Sequence, residues 1–203
     1  MSNTDNQTKT KNYPQKKTLE VPHDWGFSLV LAEPGIEEEL FELTDKNREI
    51  LAEWLNWVYK TKSIEDTSKF IKLNTERFES EGSGAYTIIN SEGKISGLIE
   101  LQSINQTNNS SNIGYWLGAE FQGNGLITRA VQIILRYGFE DHSLNRIGLL
   151  AAVGNKKSRA VAERSGFTYE GIKRQSNRLN EEVYLDMVVY SMLKNEWGGP
   201  DKV

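Results

Sequence analysis

Cysteine is absent from the 203 residues, and there are only two histidines, His23 and His142. Without a thiol there is no disulfide, no thiolate metal site and no cysteine nucleophile. Two histidines do not make a histidine-rich metal centre, so no metal is expected. No apolar run approaches the ~18–20 residues of a membrane span, and the polar N-terminus lacks the apolar stretch of a secretory signal. The expectation is a cytoplasmic protein without membrane contact. No internal repeat is visible. What is present is ordinary for a folded chain: 37% hydrophobic and 26% charged residues, enough for one domain with a real core.

The net charge of −4 is unevenly spread. Residues 1–20 hold four lysines against Asp5 and Glu20, a net +2, which leaves the rest at −6. An acidic body disfavours general nucleic-acid binding and favours cationic partners. Residues 1–18 are almost free of apolar side chains and cannot offset their ordering entropy by burial. The expected division is a flexible polar tail over 1–20, a single domain over 25–195 and a short extension over 196–203.

Along the domain, "FSLVLAEP" (27–34) reads as a strand ended by Pro34. Leu40, Leu43, Ile50, Leu51, Trp54, Leu55 and Val58 then trace one or two amphipathic helices. Ser63 reads as an N-cap with Asp66 three residues on, before a stripe of Phe70, Leu73 and Phe78. Three strands follow, 85–89, 94–104 and 111–118, joined by the tight turn "NSEG" and the longer "NQTNNSS". A helix running to about His142, an apolar strand at 146–153, a helix capped by Asn155 and ended by Gly166, and one or two strands to 193 complete the chain. The order predicts an α/β (α+β) domain with a mixed, mostly antiparallel sheet and helices on both faces.

Between the third of these strands and its helix lies "QGNGLI". Gly123 and Gly125 allow close backbone approach, and the helix start behind them offers unpaired N–H groups, so the loop reads as an anion site. It is not a P-loop, because Gly125 is followed by Leu126-Ile127-Thr128 and not by Lys-Ser/Thr. Nor is it a Rossmann loop, since the third glycine and the acid ending the next strand ("AAVGN") are missing.

With those two excluded, "QGNGLI" resembles the shortened Gln/Arg-x-x-Gly-x-Gly/Ala loop of the GNAT acetyltransferases. "IGYWLGAEFQGNGLITRAV", "NKKSRAVAERSGF" and "NREILAEWLNWV" together resemble the RimL-like branch, which acetylates N-terminal amines of ribosomal proteins. The resemblance spans about residues 25–195. It implies a GNAT fold: a seven-stranded sheet with a V-shaped splay between the fourth and fifth strands. It also implies acetyl-CoA as acetyl donor, held by Trp116 and Leu117 on the strand, by the loop and helix start (Gln122, Gly123, Asn124, Gly125, Leu126, Ile127, Thr128), and by Asn155 and Ser158. The amide N–H near residue 117 would stabilise the oxyanion of acetyl transfer, and Ser158 would act as acid toward the leaving thiolate.

The remaining roles stay open. Tyr115 and Trp116 are equally readable as core aromatics. Many relatives carry an acid where this chain has Asn105 or Asn112. Glu100, set among apolar neighbours, is the candidate catalytic base, or else a solvated strand glutamate. Trp54, Trp57 and Tyr59 would wall an acceptor cleft, or else pack the core. The acceptor implied is a protein N-terminus, with a small amine such as a polyamine or an aminoglycoside, or a CoA-binding module without turnover, as alternatives. A homodimer is compatible with all of these.

Overall fold

The computed structural model describes residues 15–199, so 1–14 of the expected tail and 200–203 of the extension lie outside it. The strands are β1 (Thr18–Leu19), β2 (Phe27–Leu31), β3 (Ala85–Asn90), β4 (Ile95–Leu101), β5 (Ser110–Leu117), β6 (Arg146–Ala152), β7 (Thr168–Arg178) and β8 (Tyr184–Leu193). They form one sheet in the order β1-β2-β3-β4-β5-β6-β8-β7. The helices are α1 (Glu37–Lys46), α2 (Arg48–Ala52), α3 (Ile64–Glu81), α4 (Leu126–Arg136) and α5 (Lys156–Arg164). Only β5 and β6 pair in parallel; all other neighbours are antiparallel.

The sheet has eight strands where seven are expected. The addition is β1, which lies inside the segment read as tail. Leu19 buries its side chain in the core, and Leu31 N donates to Lys17 O at 2.7 Å. One apolar anchor suffices because the edge of β2 supplies ready ladder partners. At the other end Trp197 packs on Phe139 with ring centroids 5.6 Å apart, so the extension starts as part of the body.

Strand alternation sorts the core into two layers. Leu29, Ile88, Ile99, Leu101, Ile113 and Leu117 face α4 and α5, where they meet Ile127, Val131, Ile134 and Ala162. Leu98 and Trp116 face the opposite way, against Leu40, Leu43, Leu51, Val58 and Ile71 of the α1–α3 layer. β4 carries a bulge, with Ile88 opposite Gly97 and Ile89 opposite Ile95. A Cβ at Gly97 would lie 2.1 Å from the Trp116 carbonyl oxygen, so only glycine permits this approach of β4 to β5.

The buried stripe of α3 differs from the expected one. It is Thr67, Ile71, Asn74 and Phe78, while Leu73 is 65% exposed. Two polar residues belong to the inward face, and counting apolar positions alone selects the wrong one. Ser63 holds the N-cap position, but its side chain does not cap. Asp66 Oδ2 reaches back instead to accept from Lys62 N at 3.1 Å. Among the described residues no helix is long and apolar enough to cross a membrane.

Candidate active site

β5 and β6 pair from Ser110↔Arg146 only as far as Ile113↔Leu149. β5 continues along β4 to Leu117, and β6 continues along β8 to Ala152. The two strands therefore diverge, and the expected splay lies between them. On the β4 side, Gln102 N donates to Asn112 O (2.9 Å) and Gly118 N to Ser96 O (3.0 Å). Ladder bonds alternate along an antiparallel strand, so the backbone groups of Tyr115 and Leu117 face the gap. Trp54 closes the far arm: a Cβ on Gly154 would sit 3.2 Å from its ring.

The glycine loop lies at the end of β5. Gly123 (φ +90°) and Gly125 (φ +71°) adopt left-handed conformations that L side chains rarely hold, and a Cβ at either would meet nothing within 4 Å. Gly125 is the N-cap of α4 and brings no side chain to the first-turn N–H groups. The result is open space in front of the first-turn N–H groups of α4, which no side chain caps. Ile127 and Thr128 turn their side chains into the protein, so only their amides are offered. Gln122 Nε2 donates to Leu117 O at 3.3 Å, and Lys157 Nζ donates to Gln122 Oε1 at 2.8 Å. A cation from α5 thus stands beside the loop. Arg129 Nη2 donates to Asn124 O at 3.0 Å and braces it.

Asn155 Oδ1 accepts from Ser158 N at 3.0 Å and caps α5. The Ser158 hydroxyl lies 3.0 Å from the phenol oxygen of Tyr115, which also donates to Ser158 O at 3.2 Å. Burial pushes the Tyr115 phenol up to about 12. Tyr115 thus has a polar partner on α5, whereas Trp116, the next residue of the strand, points the opposite way into the other layer.

On that other face a pocket of about 370 Å³ opens between the sheet and α1–α3. Its walls include Trp57 and Trp116, with ring centroids 5.9 Å apart, together with Leu98, Phe70, Thr44 and Thr61. Glu100 and Gln102 line its floor beside Gly114, the first residue of β5 beyond the last β6 pair. A Cβ on Gly114 would lie 3.1 Å from both Glu100 Oε1 and Gln102 Nε2, so the absent side chain makes room for them.

The surroundings of Glu100 differ from the apolar ones expected. Arg77 Nη2 contacts its Oε2 at 3.2 Å, and Gln102 Nε2 donates to its Oε1 at 3.0 Å. The three acceptor aromatics also separate. Trp57 lines the pocket; Trp54 lies over Gly154; Tyr59 is 44% exposed and donates to Ala52 O at 3.2 Å. Asn105 serves the β4–β5 hairpin, its Oδ1 accepting from Asn108 N at 2.9 Å. Asn112 is exposed and overlies Gly148 across the start of the splay.

Residues 29–168 match the family model of the acetyltransferase (GNAT) domain. The chain belongs to the GNAT acetyltransferase family. As a GNAT enzyme it transfers an acetyl group from acetyl-CoA, and the splay, open loop and Lys157 fit a cofactor with a thin arm and a pyrophosphate. The chain is 38% identical over 169 residues to YdaF of Bacillus subtilis, provisionally named a ribosomal N-acetyltransferase, covering 83% of this chain and 92% of that one. A structure of RimL, a ribosomal L7/L12 α-N-protein acetyltransferase in complex with coenzyme A, superposes with a TM-score of 0.81 at 27% identity, covering 87% and 97% of the two chains. The microcin C7 self-immunity acetyltransferase MccE, in complex with acetyl-CoA and AMP, gives 0.77 at 31% identity, with 83% and 92% covered.

Three residues bordering the candidate site escape sequence reasoning. Arg77, Lys157 and the polar role of Tyr115 each depend on a partner from a different element. No local spacing announces them, because strand register and helix rotation decide which side chains meet.

Proposed function

We propose that the acceptor is the N-terminal α-amine of a protein, in the cell that of a ribosomal protein in the cytoplasm. The observation that carries this reading is the charge of the pocket. Glu100 is the one carboxylate lining it among the described residues, and Arg77 already pairs with it. Such a floor suits a single ammonium group that becomes neutral before attack. A polyamine brings several cationic centres, which one half-neutralised carboxylate does not balance. The ribosomal acceptors of RimL and the name of YdaF agree with a peptide amine.

Bound acetyl-CoA supplies an activated thioester carbonyl. The backbone amides of the loop and of the α4 start, with Lys157, would hold the pyrophosphate, while Asn155 and the inward edge of β5 would line its arm. The Leu117 N–H, turned toward the gap, would receive the oxyanion of the tetrahedral intermediate. Glu100 would hold the ammonium and take its proton, directly or through one water. Ser158 would donate a hydrogen bond to the departing sulfur. A hydroxyl is a weaker acid than a thiol, whose ordinary pKa is about 8.5, so a hydrogen bond with later protonation from solvent suffices. With no cysteine in the chain, attack proceeds directly in a ternary complex.

The test is a product map. The protein with acetyl-CoA is offered peptides with free N-termini, the same peptides α-blocked but carrying lysine, and free spermidine. Acetyl located by mass spectrometry on the α-amine alone is the expected result. Acetylation of spermidine in preference to every peptide would overturn the reading.

A further inference from the structure

The Tyr115–Ser158 contact crosses the cofactor gap. Tyr115 projects from the part of β5 that has left β6, and Ser158 belongs to the first turn of α5, which packs on β6. Its phenol has two acceptors within reach, Ser158 O at 3.2 Å and Ser158 Oγ at 3.0 Å. The phenol stays protonated through the neutral range, because burial opposes phenolate formation. It is therefore a permanent donor. When it donates to Oγ, the Ser158 hydroxyl cannot return its own proton to the phenol and must send it elsewhere. The Ser158 N–H already donates to Asn155 Oδ1, and the contact with Tyr115 places the Ser158 hydroxyl on the side of α5 that faces β5.

We propose that Tyr115 is a positioning residue that aims the Ser158 hydroxyl at the sulfur leaving acetyl-CoA. The inference rests on the role of Ser158 given above. In the step it serves, the amine nitrogen bonds to the acetyl carbon, the carbon–sulfur bond breaks, and its electron pair leaves on sulfur. Ser158 donates a hydrogen bond to that sulfur while Tyr115 donates one to Ser158. No proton leaves either hydroxyl; the amine's protons pass to Glu100 and solvent, and the thiolate is protonated from solvent. Donor chains of this kind strengthen as charge develops at their end, so the gain falls in the transition state.

The test is a cycle of Tyr115→Phe, Ser158→Ala and the double variant, with kcat, KM for acetyl-CoA, Kd for CoA and Tm measured for each. Tyr115→Phe keeps the ring and should lower kcat about 3–10-fold with Kd unchanged. The double variant should be no slower than Ser158→Ala, because Tyr115 acts only through Ser158. A Tyr115→Phe enzyme within two-fold of wild type, or losses that multiply in the double variant, overturns the proposal. If Ser158→Ala itself keeps full kcat, the role of Ser158 falls and the proposal with it, whereas a slow Ser158→Ala beside a normal Tyr115→Phe removes the proposal alone.

A second measurement does not depend on the phenylalanine variant folding. A ring-fluorinated tyrosine at 115 retains the hydroxyl but ionises at lower pH, and its 19F resonance reports that ionisation in the free protein. Arg164 of α5 and Tyr190 of β8 are the charged and titratable groups that act on it. kcat/KM should gain a falling alkaline limb whose midpoint equals the 19F midpoint, since a phenolate cannot donate. A limb at an unrelated pH, or none, overturns the proposal.

Discussion

Asn74 and Ala85 exchange two hydrogen bonds. Asn74 Oδ1 accepts from Ala85 N at 2.7 Å, and Asn74 Nδ2 donates to Ala85 O at 3.1 Å. The same amide nitrogen donates to Ala32 O at 3.0 Å, so one side chain of α3 ties the end of β2 to the start of β3. Asn74 Oδ1 also accepts from Arg77 Nη2 at 3.2 Å, which links this clasp to the guanidinium beside Glu100. Asn74 is 2% exposed. Asn74→Ala strands a buried backbone N–H and should destabilise the fold by about 2–4 kcal/mol. Urea denaturation with an unchanged m value is the check. A loss below about 0.5 kcal/mol, the scatter of surface substitutions, would remove Asn74 as a structural clasp.

The loop prediction concerns Gly125. Gly125→Val should abolish CoA binding, for two separable reasons. Its φ of +71° strains any branched residue, and its side chain would occupy the open space in front of the α4 amides. Gly125→Ala shares the first cost, about 1–2 kcal/mol, with less intrusion. Calorimetric titration with CoA should rank wild type, Ala and Val in falling affinity. Amides 123–128 should also gain protection from hydrogen exchange when CoA is added. Normal CoA affinity in the valine variant sinks the loop assignment.

Asn155 caps α5 and, as proposed, also stands where the acetyl-CoA arm would pass. Asn155→Ala removes the cap on α5 and should cost about 0.5–2 kcal/mol of stability. If it also lines the cofactor arm, CoA affinity should drop in the same variant. Asn155→Asp retains the cap and so separates the two effects. Lower stability with undiminished CoA affinity in Asn155→Ala would reduce the residue to a cap.

How much of this was legible in the sequence varies with the range of the interaction. Local signals read well: Asn155 and Gly166 bound α5, and Asn90 with Gly93 makes the β3–β4 turn, Asn90 Oδ1 accepting from Glu92 N and Lys94 N, each at 3.0 Å. The paired glycines before α4 and the apolar run of β6 belong to the same class. Long-range relations read poorly. The inward face of α3 contains Thr67 and Asn74, and Asn74 is held there by backbone groups of Ala32 and Ala85, which the helix sequence does not contain. Glu100 looked apolar in its surroundings because its sequence neighbours, Ile99 and Leu101, point to the opposite face of the sheet. Its actual neighbours are Gln102, two residues along the same face, and Arg77 from a helix. Trp54 and Trp57 are three residues apart, yet one lies over Gly154 and the other in the pocket.

Burial of His142 against Tyr137, with ring centroids 4.6 Å apart, lowers its pKa to about 4 against the nearby pull of Asp141. The unfolded chain, with an ordinary histidine near 6.5, takes up the proton first as pH falls. The neutral ring therefore contributes its full stability above about pH 6.5, and loses it as pH falls through about 4. Solvent reaches part of the ring, so the loss is on the order of 2 kcal/mol. Chemical denaturation from pH 7 to 4 should show this slope, and His142→Phe should flatten it. An equal slope in both proteins would assign the acid sensitivity to other groups.

The final prediction concerns the proton that the acceptor must lose. Asn105 and Asn112 cannot take it, and Glu100 is the carboxylate that lines the pocket beside the splay. Glu100→Gln keeps the shape and the hydrogen-bonding reach toward Gln102 but removes the charge and the basic oxygen. If Glu100 binds and deprotonates the amine, kcat/KM for the peptide should fall about 10²–10⁴-fold. CoA affinity should stay within two-fold, roughly the limit of additivity for separate sites, because the carboxylate lies on the opposite layer from the glycine loop. The Arg77 pair sharpens the test. Arg77→Met leaves Glu100 in place without its guanidinium, so amine binding should tighten as the carboxylate's charge is released to the acceptor. In the Glu100→Gln background the same change should do nothing for the amine. Tighter binding in both backgrounds would show that Arg77 repels the acceptor directly. A Glu100→Gln enzyme within a few-fold of wild type would hand the proton to an ordered water and leave Glu100 as a partner for Arg77 alone.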